Sequence, residues 1–177
     1  FNFIEFTKER SIVYPLRIKK EVLNELKSNL LLCYTGKRHF SGDIHKEQKI
    51  TYLNNKDDIL PALNKLKEIT LKLKDALLLG KLVEFWDLLH SALENKKRLD
   101  PRITSSEIDN FYKIGLMNGA YGGKLLGAGG GGYILFFISH LKQKQLIKEL
   151  EKVGGSIMEF DFEDEGVQVW PVREELL

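Results

Sequence analysis

Gly122-Gly-Lys-Leu-Leu-Gly-Ala-Gly-Gly-Gly-Gly-Tyr-Ile-Leu-Phe-Phe-Ile138 decides how this chain is read, because it sets a glycine cluster directly against a continuous apolar run. Glycine accepts positive φ and lets another molecule come close to the backbone. The run from Tyr133 to Ile138 reads as a fully buried strand. Read bare, Gly127, Gly129 and Gly132 satisfy G-x-G-x-x-G, but a dinucleotide loop of that spacing needs a strand before it and a helix after it. Here the order is reversed. Thr104-Ser-Ser-Glu107 has the capping-box pattern that starts a helix, with Ile108, Phe111, Tyr112 and Gly115 on one face, running out between Gly119 and Gly123. A Walker A loop is excluded as well: Gly123-Lys124 lacks the required glycine at position 118, and Leu125 stands where Ser or Thr is needed. What remains is a linker or tight turn, or a loop that faces a ligand. A linker borders polar sequence. This loop is pinned between Lys124-Leu-Leu126 and the apolar strand, where backbone N–H groups must find partners, and a ligand-facing loop is expected.

Outward from that stretch, composition narrows the class. The 177 residues are 43% hydrophobic and 29% charged, as one globular domain with a real core would be. Basic and acidic side chains number 27 and 25 and are interspersed, which gives no support to nucleic-acid or membrane attraction. Cys33 is the single cysteine and sits in the apolar run Leu30-Leu-Leu-Cys-Tyr34, so no intramolecular disulfide can form. A buried thiol in a reducing compartment, the cytoplasm, is expected. No run of about 18 apolar residues occurs, and the N-terminus lacks the order of a signal peptide. The chain opens at Phe1 inside an apparent strand, and its methionines are Met117 and Met158, so it reads as a fragment or processed product.

The remaining elements follow from periodicity. Phe1 to Phe6 and Ile12 to Tyr14 around Thr7-Lys-Glu-Arg10 read as a β-hairpin closed by Pro15. Ile18, Val22, Leu23 and Leu26 mark an amphipathic helix leading into the strand Leu30 to Tyr34. Thr35-Gly-Lys-Arg-His-Phe-Ser-Gly-Asp43 is then a strand–loop–helix joint rich in donors. Apolar spacing through Leu63, Leu66, Ile69, Leu73 and Leu77, and through Val83, Trp86, Leu89 and Leu93, predicts two packed helices with a break near Gly80. An amphipathic helix from Leu141 to Val153 and a terminal hairpin, Ser156 to Phe162 with Val167 to Trp170, complete an α+β domain of ferredoxin-like type.

The stretch Lys-Leu-Leu-Gly-Ala-Gly-Gly-Gly-Gly, followed by an aromatic residue and an apolar strand, resembles the third motif of the GHMP kinases. The resemblance is strongest towards the members that act on heptose phosphates. It is carried by Phe1-Asn-Phe-Ile-Glu-Phe6, by Tyr34-Thr-Gly36 with Ser41 and Glu47-Gln48, by Leu88-Leu-His90 with Lys96-Lys-Arg-Leu99, and by Gly122-Gly-Lys124. It implies a kinase half, with residues 1–15 left from the preceding domain and 16–177 forming the C-terminal domain. The implied reaction is ATP-dependent phosphorylation of the anomeric hydroxyl of a D-glycero-D-manno-heptose 7-phosphate, with Mg²⁺ accompanying ATP. The implied partners are a small-molecule sugar phosphate and the N-terminal domain, with no nucleic acid and no membrane, and an oligomer is left open. Gly127, Ala128, Gly129, Gly130, Gly131 and Gly132 would border the nucleotide phosphates, and Thr35, Gly36, Arg38, Ser41 and Lys124 would meet the sugar phosphate. The family's first motif and its Ser-rich second motif are not among these residues, so no catalytic residue is assigned and the chain alone is expected to be inactive. A fucose- or galactose-type kinase half, and a non-catalytic ligand-binding regulatory domain, are the alternatives.

Other polar residues fit less clearly. Lys37, His39 and Phe40 match the pattern of that loop poorly. His90 and Lys97, seven apart, share a helix face; with Lys96 they read either as a phosphate clamp or as a polar face. The four histidines show no metal-site spacing, and no metal ligand is assigned. Glu107 is explained by capping, Glu163-Asp-Glu165 by a turn, and Phe85, Trp86, Phe111 and Tyr112 by the core.

Overall fold

The computed structural model describes residues 1–36, 56–99, 103–127 and 130–171. Among them, β1 (Asn2–Phe6) and β2 (Ser11–Pro15) form a separate antiparallel hairpin. Its turn is held by Thr7, whose N–H and hydroxyl both donate to the Arg10 carbonyl at 2.9 Å. Helix α1 (Lys20–Asn29) runs directly into β3 (Leu30–Tyr34). Two long helices, α2 (Lys56–Leu79) and α3 (Leu82–Leu99), pack against each other across a turn at Gly80, whose φ is +71°. Then come α4 (Ser106–Met117), β4 (Gly122–Leu125), β5 (Tyr133–Phe137), α5 (His140–Lys152) and β6 (Ser156–Met158).

The second sheet has the order β4-β5-β3-β6, antiparallel throughout. Taken in chain order as strand, helix, strand, strand, helix, strand, this is the expected ferredoxin-like arrangement, elaborated by α2 and α3. Strand alternation divides the core between the two faces. Leu31, Cys33, Ile134 and Phe136 point to the face covered by α4 and α5, where they meet Ile108, Phe111, Tyr112, Leu146 and Leu150. Leu30 and Phe137 point the other way, onto Leu26, Leu77, Leu82 and Trp86. The Trp86 and Phe137 rings stack there at 5.1 Å.

Close approach on the first face depends on glycine. A Cβ on Gly115, in the third turn of α4, would stand 2.3 Å from Cε1 of Phe136, a ring with no exposed surface. Helix-interior glycine costs roughly 1 kcal/mol relative to alanine. Here that cost is offset by seating the helix directly on β5.

Four sequence expectations are corrected. The terminal hairpin does not form: β6 has three residues, and 159–171 run without strand or helix while Phe160 and Phe162 cover the second core. Alternation across the acidic turn was the only signal for a second strand, and Val167, Val169 and Trp170 find nothing to bury against. The cap of α4 is Ser105, whose hydroxyl accepts from Ile108 N at 3.3 Å, one residue later than the capping-box reading; Thr104 instead donates to Asp109. Val83 is half exposed, because the break at Gly80 turns α3 so that Leu82 and Trp86 face inward. Gly122 and Gly123 belong to a strand, not to the helix's end.

Replacing Gly115 by Ala is expected to lower unfolding free energy by roughly 1–3 kcal/mol despite the helix-propensity gain, measured by urea denaturation. Burial pushes the Cys33 thiol up to about 11, only partly opposed by a hydrogen bond from the Ser156 backbone. The fold thus favours the protonated thiol. Its contribution to stability is complete below the ordinary value of 9.0 and is lost as pH rises through about 11. At pH 8 a thiol reagent should label Cys33 no faster than the chain opens, and rapid labelling of folded protein would contradict this burial.

Candidate functional site at the glycine-loop edge

The direction of the strands determines where the loops gather. β5 is antiparallel to both β3 and β4, so β3 and β4 run parallel to each other and leave the sheet at the same edge. Tyr34 pairs with Tyr133 and Leu125 with Ile134 at that edge, from which the glycine loop and the segment after β3 both project. The glycine loop is therefore a strand-to-strand connection. The helix-to-strand expectation missed β4 because two glycines and a lysine carry little strand propensity.

Thr35 and Gly132 make the joint. The Thr35 N–H donates to the Gly132 carbonyl at 2.8 Å, and its hydroxyl donates to the same oxygen at 3.0 Å. Thr35 is the buried polar side chain among the described residues. Gly36, at φ +80°, then turns the chain away. At the loop's other end Leu126 N donates to the Tyr133 carbonyl, and midway Gly130 N donates to the Ile103 carbonyl at 2.8 Å. Gly127, Gly130, Gly131 and Gly132 all take positive φ. Positions 127 and 132 face open space, with no atom within 4 Å of where a Cβ would stand.

Of the sequence-predicted residues, the structure thus brings together Thr35, Gly36, Gly127 and Gly130 to Gly132, with Lys124 exposed on β4 nearby. Ala128, Gly129, Arg38 and Ser41 lie outside the described residues, as do Lys37, His39 and Phe40. The trio on α3 divides. His90 turns to Tyr112, with Nδ1 2.8 Å from the hydroxyl and the two rings stacked. Lys97 pairs with Asp109 at 2.9 Å and Glu94 at 3.0 Å and lies over the Tyr112 ring. Burial pulls the Lys97 ammonium down, but its hydrogen bonds and the two carboxylate charges outweigh that and hold it above its usual value. Lys96 alone of the three reaches the loop, donating to the Gly127 carbonyl at 3.4 Å. Burial, and then the charge of Lys124, push its pKa down.

Tyr112 was read as core and does more. Its hydroxyl accepts from Gly123 N at 3.1 Å and lies 3.4 Å from the Gly123 carbonyl, occupying the outward backbone groups of the edge strand β4. Burial pushes the phenol up to about 12, so it stays a neutral donor and acceptor at physiological pH. The available signal was chemical: a buried tyrosine hydroxyl demands a partner.

Elsewhere, a shallow cavity of about 270 Å³ lined by Glu25, Asn29, Tyr121 and His140 lies at the opposite edge of the sheet. Among the described residues no group of three or more His, Cys, Asp or Glu side chains is placed so that it could hold a metal ion. Among those residues no helix is long and apolar enough to cross a membrane.

Comparison with known proteins agrees with this architecture. The family described as GHMP kinases C terminal matches residues 59–156. The chain is 35% identical to a D-glycero-α-D-manno-heptose 7-phosphate kinase of Campylobacter jejuni, over 97% of this chain and 50% of that protein. It superposes on the crystal structure of a D-glycero-D-manno-heptose 1-phosphate kinase from Bacteriodes thetaiotaomicron with a TM-score of 0.68 and 26% identity, covering 98% of this chain and 46% of that one. The crystal structure of L. major mevalonate kinase in complex with R-mevalonate shares the fold at a TM-score of 0.70 and 16% identity, over 86% and 44% of the two chains. The chain spans about half the length of the heptose kinases it matches. With the ferredoxin-like sheet, the glycine loop on its shared edge and the family match over more than half its residues, this chain belongs to the GHMP kinase family and carries its C-terminal domain.

Proposed function

We propose that the chain is the C-terminal half of an ATP-dependent sugar-phosphate kinase, the complete enzyme transferring the γ-phosphoryl group of ATP to the anomeric hydroxyl of D-glycero-D-manno-heptose 7-phosphate. The observation that carries this reading is the convergence of the glycine loop and the Thr35–Gly36 turn at one edge of the sheet. The choice of a heptose is supported by the names of the Campylobacter and Bacteriodes relatives, which match nearly all of the chain.

The residues present fit a phosphoryl group. Open positive-φ glycines at 127 and 132 admit a bulky anion, and the nearby ammonium groups of Lys96 and Lys124 supply positive charge. In this reading Gly127 to Gly132, Ala128 and Gly129 included, border the phosphates of ATP, while Thr35, Gly36, Arg38, Ser41 and Lys124 meet the sugar phosphate. ATP with Mg²⁺ supplies the transferred group and neutralises its charge. The chain's own part is positioning: it orients N–H groups and cations towards the oxygens that gain charge. Catalytic groups and most ATP contacts would come from an N-terminal half. The hairpin 1–15, a sheet of its own, belongs with that half, and 16–177 form the C-terminal domain. A cytoplasmic location accords with the single buried, reduced cysteine.

Two measurements test this. The 177 residues alone, mixed with ATP, Mg²⁺ and heptose 7-phosphate, should release no ADP above background, whereas the complete kinase should turn over; catalysis by the chain alone would sink the half-enzyme reading. A panel of fucose, galactose and heptose 7-phosphate on the complete kinase would fix the sugar. In that same enzyme, Thr35→Val removes the hydroxyl bond to Gly132 and keeps the backbone one. A loss of about 1 kcal/mol in positioning is expected, or roughly fivefold in kcat/KM, with Thr35→Ser restoring activity.

A further inference from the structure

We propose that His90 and Tyr112 are positioning residues for the glycine loop, a relay of two hydrogen bonds that ties α3 and α4 to the strand from which the loop starts. Each residue taken alone reads as packing. His90 is half buried on α3 with its ring stacked on that of Tyr112 at 5.7 Å, and Tyr112 is buried among the core residues of α4. The hydroxyl joins both to the loop. It accepts from Gly123 N at 3.1 Å and stands 2.8 Å from His90 Nδ1, so one oxygen bridges a helix side chain and the backbone of edge strand β4.

The proton count gives the relay its direction. A phenol has one proton to donate, and burial, which pushes this group up to about 12, keeps that proton in place. Of its two acceptors, His90 Nδ1 lies at 2.8 Å and the Gly123 carbonyl at 3.4 Å. The shorter bond takes the proton, which makes Nδ1 an acceptor and leaves the His90 ring hydrogen on Nε2. Tyr112 then turns a lone pair to Gly123 N. The phenol ring is itself held, with the Lys97 ammonium over it and the Phe136 ring tilted against it at 6.1 Å. A Cβ on Gly122 would stand 3.6 Å from the His90 Cβ, so α3 and β4 also touch directly at this level. Gly122 and Gly123 bring no side chains of their own to anchor β4. The end of the strand at Leu125, and with it the start of the loop at Gly127, therefore takes its place from the relay.

The consequence for catalysis rests on the kinase reading above, while the relay rests on its own bonds. In the 177-residue chain, Tyr112→Phe keeps the ring and removes the oxygen. Amide hydrogen exchange is expected to quicken roughly tenfold or more at Gly123 and at Leu126, the last paired amide before the loop, and to stay unchanged in α5. Imidazole nitrogen shifts of the parent at alkaline pH should place the His90 hydrogen on Nε2. Unchanged exchange at both amides, or a hydrogen on Nδ1, overturns the relay. In the complete kinase, Tyr112→Phe is expected to lower kcat roughly tenfold and to hold KM for the sugar phosphate within about twofold, the mark of lost orientation rather than lost binding. His90→Leu should match it, and His90→Asn, which returns an acceptor oxygen near the Nδ1 position, should recover most of the activity. Leu77→Ala, a cut in the second core away from the relay, is the control for lost stability. A fall in kcat as large in that control as in Tyr112→Phe, at a temperature where both are folded, would reduce the pair to packing and overturn the proposal, as would no recovery in His90→Asn. A complete enzyme inactive on every sugar tested would overturn the function above and leave the exchange and nitrogen-shift results to decide the relay.

Discussion

One carbonyl oxygen sets the geometry of the loop edge. The Gly132 oxygen receives both the N–H and the hydroxyl of Thr35, so the last residue of the glycine loop and the first residue beyond β3 are fixed to each other although 97 positions separate them. A backbone oxygen with two donors has both lone pairs satisfied. Neither segment could hold its shape alone: four glycines at positive φ lose more chain entropy on ordering than any other residues would. The bond is favourable because the sheet has already brought its partners together, β3 and β4 leaving on the same side of β5.

The other end of the loop depends on β4, which is short and lies at the sheet's edge. An edge strand of this composition would fray, since Gly122 and Gly123 contribute no side chains to pack. The glycines instead allow close contact. A Cβ on Gly122 would stand 2.9 Å from the Trp86 carbonyl, and one on Gly123 would stand 2.9 Å from the Leu135 carbonyl. Helix α3 presses on one face of the strand while the Tyr112 hydroxyl holds its outward N–H. His90 then orients that hydroxyl. The loop is thus suspended between a side-chain clasp at Gly123 and a second clasp at Gly132, with Gly127 exposed and Gly130 and Gly131 buried.

The sequence was legible where periodicity and burial coincide. Ile108, Phe111, Tyr112 and Gly115 were placed on one face of a helix and are its buried residues, and the break near Gly80 falls between the two long helices. It was less legible where an element is defined by its partners. β4 consists of residues that avoid strands, and it exists because β5 offers it a ladder and α3 a surface. The expected terminal hairpin had the alternation but no neighbour, and alternation alone forms no ladder. In the candidate site, the glycine loop was singled out from composition and Thr35 from the family resemblance. Their contact was not, because a hydrogen bond between residues 35 and 132 leaves no mark in either local stretch.

The three polar residues of α3 show why a shared helix face is a poor guide to chemistry. His90 and Lys97 are seven apart and do share a face, and both are drawn onto Tyr112. Lys97 is further fixed by two carboxylates. A cation so compensated has little field left for a substrate. Lys96, rotated about 100° from Lys97 by the helical step, reaches the loop at the Gly127 carbonyl. What separates the two lysines is the partner each one reaches, which makes Lys97 a brace for α4 and sets Lys96 against the loop.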